Sequence, residues 1–199
     1  MSRAAVGLKP RTGRAVLVML SGDLDEPQVI ERLQIPLLPA GEFATYHAAK
    51  ELEPEAAASY VEGSIARAQA LAVAAVRGAA KRCADAGHQL RGCGVLIGTG
   101  MPDWSTAEIL AVHARMHKAE GEMFRSVLLE AARSCGLILT TLPDKTALES
   151  AATYLRITPA RLDTRLAAMG RAVGPPWGKY QKEAAAAALV ALGRVEGRC

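Results

Sequence analysis

The segment Cys93-Gly-Val-Leu-Ile-Gly98 does most to limit what this chain can fold into. It is a short apolar run bounded by glycine, with none of the polar and apolar alternation of a strand that keeps one face wet. It therefore predicts a strand covered on both faces, as in a parallel sheet. Parallel strands need helical crossovers, and the flanking sequence offers them. Pro54 to Ala86 is alanine-rich, free of internal proline and interrupted only by Gly63 and Gly78, so it predicts one long helix closed by Gly87. On the other side, Ser105-Thr-Ala-Glu108 has the spacing of a capping box. The serine oxygen accepts from the third helical N–H, and the glutamate accepts from the serine N–H. A helix is expected from there to about Cys135, with Gly136 ending it and Leu137 to Leu142 forming a further strand.

The first 38 residues read differently. Ala4 to Lys9 is short and apolar, Pro10-Arg-Thr-Gly13 has turn chemistry, and Arg14 to Ser21 is rich in branched residues. These predict a hairpin, and Gln28 to Leu38 offers a third strand that Pro36 should end or push to an edge. The C-terminal third reads as helical from Pro143-Asp144 onward, with Asp144 as a cap. Thr158-Pro159 is a second start signal, Gly174-Pro-Pro176 a break, and the last helix runs through Glu183 to Leu192.

A length of 199 residues suits one domain spanning 1–199, with the helical region from about 144 packed on the sheet. Hydrophobic residues make up 50% of the chain and aromatic residues only 4%, so Ala, Leu, Val and Ile must build the core through closely packed helices. Cys83, Cys93, Cys135 and Cys199 are widely separated and form no C-x-x-C pair, which argues against a zinc knuckle or disulfide framework and for a reducing compartment. Lys9 and Arg11 precede any sustained apolar run, unlike a secretory signal, and no stretch is long enough to span a bilayer. A cytoplasmic location and no membrane partner are expected. The net charge is +4, unevenly spread. Residues 1–15 hold Arg3, Lys9, Arg11 and Arg14 with no acid, and residues 151–199 hold eight Lys and Arg against Asp163, Glu183 and Glu196. If these two ends meet they form a positive face suited to phosphates.

The order strand, strand, strand, helix, strand, helix, strand, helices resembles that of ribonuclease H-like domains. Gly94-Val-Leu-Ile-Gly98, the capped helix after it and the closing Ala-Ala-Ala-Leu-Val-Ala191 helix look most like bacterial Holliday-junction resolvases. The resemblance implies an α/β fold with a mixed five-stranded sheet, three antiparallel strands followed by two parallel ones, flanked by helices. It also implies a set of acids that hold two divalent ions for phosphodiester cleavage. Those acids would fall at Lys9, Gly98, Ala184 and Ala187, where none is present, although a one-residue slip would recover Glu183. Two-metal cleavage at the usual place is therefore not expected. The sequence leaves open whether the chain is an enzyme. No cofactor or metal is expected, with Mg relevant only to a relocated acid site.

A lysine in place of an acid favours phosphate over metal. Lys9, Arg11, Thr12, Gly13 and Arg14 are the candidate phosphate-binding residues, and Trp177, Lys179, Tyr180 and Lys182 mix rings with cations as single-strand binders do. His113, His117 and Glu120 share one side of the capped helix, at a spacing that allows proton transfer or half of a metal site. Ala114 stands where the H-E-x-x-H zinc motif needs glutamate. Asp103, after the fourth strand, is a candidate displaced acid. The favoured reading is a catalytically degenerate ribonuclease H-like protein that binds nucleic acid or a nucleotide phosphate. The alternatives are a hydrolase or transferase acting on a phosphate-containing substrate through His113, His117, Glu120 and Asp103, and a homo-oligomeric assembly subunit.

Overall fold

The computed structural model describes residues 1–198. Strands β1 (Ser2–Arg11), β2 (Arg14–Ser21), β3 (Gln28–Pro36), β4 (His88–Ile97) and β5 (Ile138–Pro143) form one sheet in the order β3-β2-β1-β4-β5. The first three strands pair antiparallel, while β4 joins β1 and β5 joins β4 in parallel. This is the expected mixed sheet, and Pro36 ends β3 on an edge where its missing N–H costs no ladder bond.

Helices cover both faces. Helices α1 (Thr45–Ala49), α2 (Pro54–Asp85), α3 (Thr106–Leu110) and α4 (His113–Ser134) lie on one side. A 3-10 turn (Asp144–Thr146) and helices α5 (Ala147–Tyr154), α6 (Pro159–Val173) and α7 (Lys179–Glu196) make up the other. Strand alternation divides the two cores: Val6, Leu8, Cys93 and Val95 face α2 and α4, while Ala5 and Leu96 face α7.

The scarcity of aromatic residues is answered by close approach. In α2 the buried positions Ala57, Val61, Ser64, Ala68, Ala72, Val76, Ala79 and Cys83 recur every three or four residues as a stripe of mostly small side chains. Helix α7 goes further, because its backbone rests directly on glycines of the central strands. A Cβ on Gly7 would lie 1.8 Å from the Ala184 carbonyl oxygen, and one on Gly94 would lie 2.2 Å from that of Ala187. Gly7 and Gly94 are register partners across β1 and β4, so together they form a flat seat for the helix.

Two expectations need correction. The helix predicted from Ser105 to Cys135 is broken at Val112, whose extended backbone (φ −136°, ψ 116°) separates α3 from α4. Val112 is 41% exposed and does not join the apolar stripe of Ile109, Met116, Met123 and Val127. The capping box itself forms, with Glu108 N–H donating to Ser105 Oγ at 3.3 Å and Ser105 N–H to Glu108 Oε2 at 2.8 Å. Asp144 does not act as a helix cap, because its carboxylate faces a lysine on β1.

Candidate functional site

The C-terminal ends of β1, β4 and β5 meet the N-terminus of α7 and the middle of α4, the kind of place where open α/β sheets put their ligands. Lys9, near the end of β1, lies only 6% exposed. Its ammonium bonds Asp144, just past the end of β5, and stands 3.1 Å from Glu183 Oε2 on α7. The Glu183 contact is a close ion pair without aligned hydrogen-bond geometry. Burial of this kind is tolerated because the charges are mutual: a lone ammonium at that depth would be costly, and so would a lone carboxylate.

Arg125 of α4 supplies a second cation. Its Nη2 lies 3.7 Å from Asp144 Oδ2 and its Nη1 3.6 Å from Glu122 Oε2. The guanidinium occupies the space left by two glycines: a Cβ on Gly98 would fall 2.8 Å from Arg125 Cζ, and one on Gly121 would fall 2.8 Å from Arg125 Nη1. Where the resemblance placed an acid at the end of the fourth strand, the chain has Gly98, just past β4, whose empty side holds an arginine. Ala184 and Ala187, two further acid positions, are fully buried where α7 rests on the glycine seat. Glu183 is the acid of α7 that reaches the site.

Two divalent ions do not fit this arrangement. A two-metal centre needs carboxylates free to share hard cations. Here Asp144 and Glu183 are both engaged by Lys9, and Asp144 also faces Arg125.

Around this centre lie two cavities of about 400 Å³ each. One is lined by Gly98, His117, Lys118, Arg125, Asp144 and Lys145, and the other by Lys9, Lys145, Glu149, Lys179 and Glu183. Two groups of residues that the sequence treats separately meet here: the Arg11 guanidinium stacks 3.9 Å from the Tyr180 ring centroid, and Lys179 lies 3.8 Å from Glu183. Arg14 is the cross-strand partner of Arg11, so both arginines flank the Thr12-Gly13 turn at the same end of the sheet. Gly13 has φ +71° and accepts a hydrogen bond from Leu37 N–H at 2.9 Å, which fixes the turn. Thr12 is exposed and Lys182 half-buried. Trp177 packs against α6 instead: its indole N–H donates to the Leu166 carbonyl at 2.8 Å, and its ring fills the space beside Gly170.

The histidines of α4 also find company. His113 and His117 are exposed, and their ring centroids are 4.5 Å apart. His47 of α1 joins them, 5.3 Å from His113 and 4.7 Å from His117. Glu120, 2% exposed, accepts from the Tyr46 N–H at 2.7 Å and faces His47 Nδ1 at 3.4 Å. Asp103 is exposed in the loop before α3, and among the described residues no bond ties it to this cluster.

Neither a family model nor a curated protein matches the chain. Solved structures do. Thermus thermophilus RuvC in complex with a Holliday junction substrate superposes with a TM-score of 0.53 at 12% identity, covering 98% of this chain and 97% of that chain. A second Thermus thermophilus RuvC structure gives 0.51 at 11% identity, with the same coverage. At such identity the likeness shows the fold: this chain has the ribonuclease H-like architecture of the RuvC resolvases.

Proposed function

We propose that this protein is a ribonuclease H-like binder of nucleic acid that grips the phosphate backbone and does not cut it by two-metal chemistry. The observation that carries the reading is the Lys9–Asp144–Arg125 arrangement, with Glu183 on the other side of Lys9. With both carboxylates engaged by protein cations, this arrangement argues against a pair of hard divalent ions and favours contact with a phosphate backbone at the same sheet edge. The rim of that edge carries Arg11, Arg14, Lys118, Lys145 and Lys179, cations spaced over a surface larger than one phosphate. Lys9 itself is neutralised by its two carboxylates, so the rim cations and the Arg11–Tyr180 stack would make the contacts. The RuvC of similar fold was solved with a Holliday junction substrate, which makes branched DNA the first ligand to try.

Fluorescence anisotropy with labelled four-way junction, duplex and single-stranded DNA, RNA and a nucleotide, each over a range of salt, tests the proposal. Affinity for a nucleic acid that falls steeply with salt, and intact substrate after incubation with Mg²⁺ or Mn²⁺, are the expected results. Absence of salt-sensitive binding to every nucleic acid overturns the proposal, as do binding of the nucleotide alone and metal-dependent cleavage.

A further inference from the structure

We propose that His47, His113 and His117 bind one borderline divalent transition ion of the zinc class, in a site separate from the Lys9 centre. The chain has 4 histidines, and three of them converge although His47 lies on a different helix from the other two. One ligating atom from each lies within 4.8 Å of the others. A tetrahedral ion at ~2.0–2.1 Å from each nitrogen needs nitrogens ~3.3 Å apart. Small side-chain rotations close that gap, and the exposure of His113 and His117 leaves them free to make it. The break at Val112 contributes directly, since it makes His113 the first residue of α4 and frees it from the axis of α3.

Glu120 is the second, independent observation. Its Oε1 faces His47 Nδ1, the arrangement in which a carboxylate holds an imidazole so that Nε2 is presented to a metal. Its Oε2 is buried without a hydrogen-bond partner among the described residues. The Tyr46 and His47 N–H groups compensate Oε1, but among the described residues no Lys or Arg pairs with this buried carboxylate, and a cation on the three imidazoles supplies that charge. Three nitrogen ligands select zinc, cobalt, nickel or copper over magnesium or calcium, which prefer oxygen. A three-histidine set also leaves one coordination position open. His117 lines the same cavity as Lys118, Arg125 and Lys145, so the site borders the cationic cleft.

The test is titration of the chelator-stripped full chain with Zn²⁺ by calorimetry, and with Co²⁺ by visible absorption. One ion per chain is expected, with cobalt bands of a low-coordinate nitrogen site and no competition from excess Mg²⁺. His113→Ala and His117→Ala change exposed side chains and should each weaken binding at least ~100-fold, while Glu120→Gln should weaken it ~10–100-fold through the orientation of His47. His88→Ala, on β4 and bonded to Ser2, should leave affinity unchanged. Lack of saturable 1:1 binding, or undiminished binding by the His113→Ala/His117→Ala double variant, overturns the proposal.

Discussion

Asp144 divides its carboxylate between two cations: one oxygen bonds the Lys9 ammonium, and the other lies 3.7 Å from Arg125 Nη2. Because Lys9 and Glu183 are buried as well, the group stands or falls together. Lys9→Met should destabilise the protein by about 3 kcal/mol, since it leaves the buried Glu183 with only the exposed Lys179, 3.8 Å away, as a counter-charge. Lys9→Asp should cost more, but should recover thermal stability on addition of Mg²⁺ or Mn²⁺, an increment the parent protein will not show. Denaturant titrations and melting curves with and without metal measure both effects. A melting temperature for Lys9→Asp that ignores divalent metal would mean that the carboxylates cannot be brought onto an ion.

Glycines in the two halves of the site predict opposite responses. At Gly7 and Gly94 an added methyl would meet the backbone of α7, which cannot move without lifting the helix from the sheet. Each Gly→Ala substitution there should cost about 3 kcal/mol or more. At Gly98 the obstacle is the far end of the Arg125 side chain, which can swing aside. Gly98→Ala should therefore cost under about 1.5 kcal/mol while releasing Arg125 from Asp144. Urea unfolding of the three variants side by side distinguishes a rigid obstacle from a yielding one.

Much of this architecture is legible in the sequence because its signals are local. The glycine-bounded run from Cys93 to Gly98 is a short-range pattern, as are the capping box at Ser105 and the Thr158-Pro159 helix start, which forms with Thr158 accepting from Arg161 N–H. The site is less legible because its pieces come from distant elements. Lys9, Arg125, Asp144 and Glu183 have no common spacing, and Asp144 carries a local turn preference that masks its role as a lysine partner. His47 is similarly silent. Its helix α1 is five residues long, too short for a periodic pattern, and only the rarity of histidine in the chain could have drawn attention to it. The Val112 break is hidden because α3 and α4 each continue a helical pattern on either side of it.

Burial pushes the Cys93 thiol up to about 12, with the neighbouring Cys135 adding to the shift. The sign follows from linkage. The unfolded chain ionises this thiol near 9.0 and the folded chain only near 12, so the contribution to stability is complete below the lower value and is lost as pH rises through that interval. Alkaline unfolding should therefore begin at a higher pH in Cys93→Ala, compared at equal starting stability. In the native protein near neutral pH, Cys83 and Cys93 should resist alkylation, as mass spectrometry of iodoacetamide-treated protein will show.

Glu108 behaves in the opposite sense. Hydrogen bonds from the Ser105 backbone and hydroxyl hold its carboxyl below the usual range, so the stabilisation of α3 is present above the ordinary glutamate value and lost as pH falls through the lowered one. Ser105→Ala should cost about 1 kcal/mol and increase amide exchange in α3. The exchange of wild-type α3 should approach that of the variant in acid.

The filling of the space beside Gly98 by Arg125 makes single-step change at this site self-defeating. An acid introduced at Gly98 would meet a guanidinium before it met an ion, and removal of Arg125 would leave Asp144 and Glu122 with less compensation. Exchange of Lys9 alone takes from Glu183 its closest cation and leaves it only the exposed Lys179 at 3.8 Å. Substitutions at Lys9, Gly98 and Arg125 are thus expected to be mutually epistatic, since each removes or meets a charge that the others hold in place.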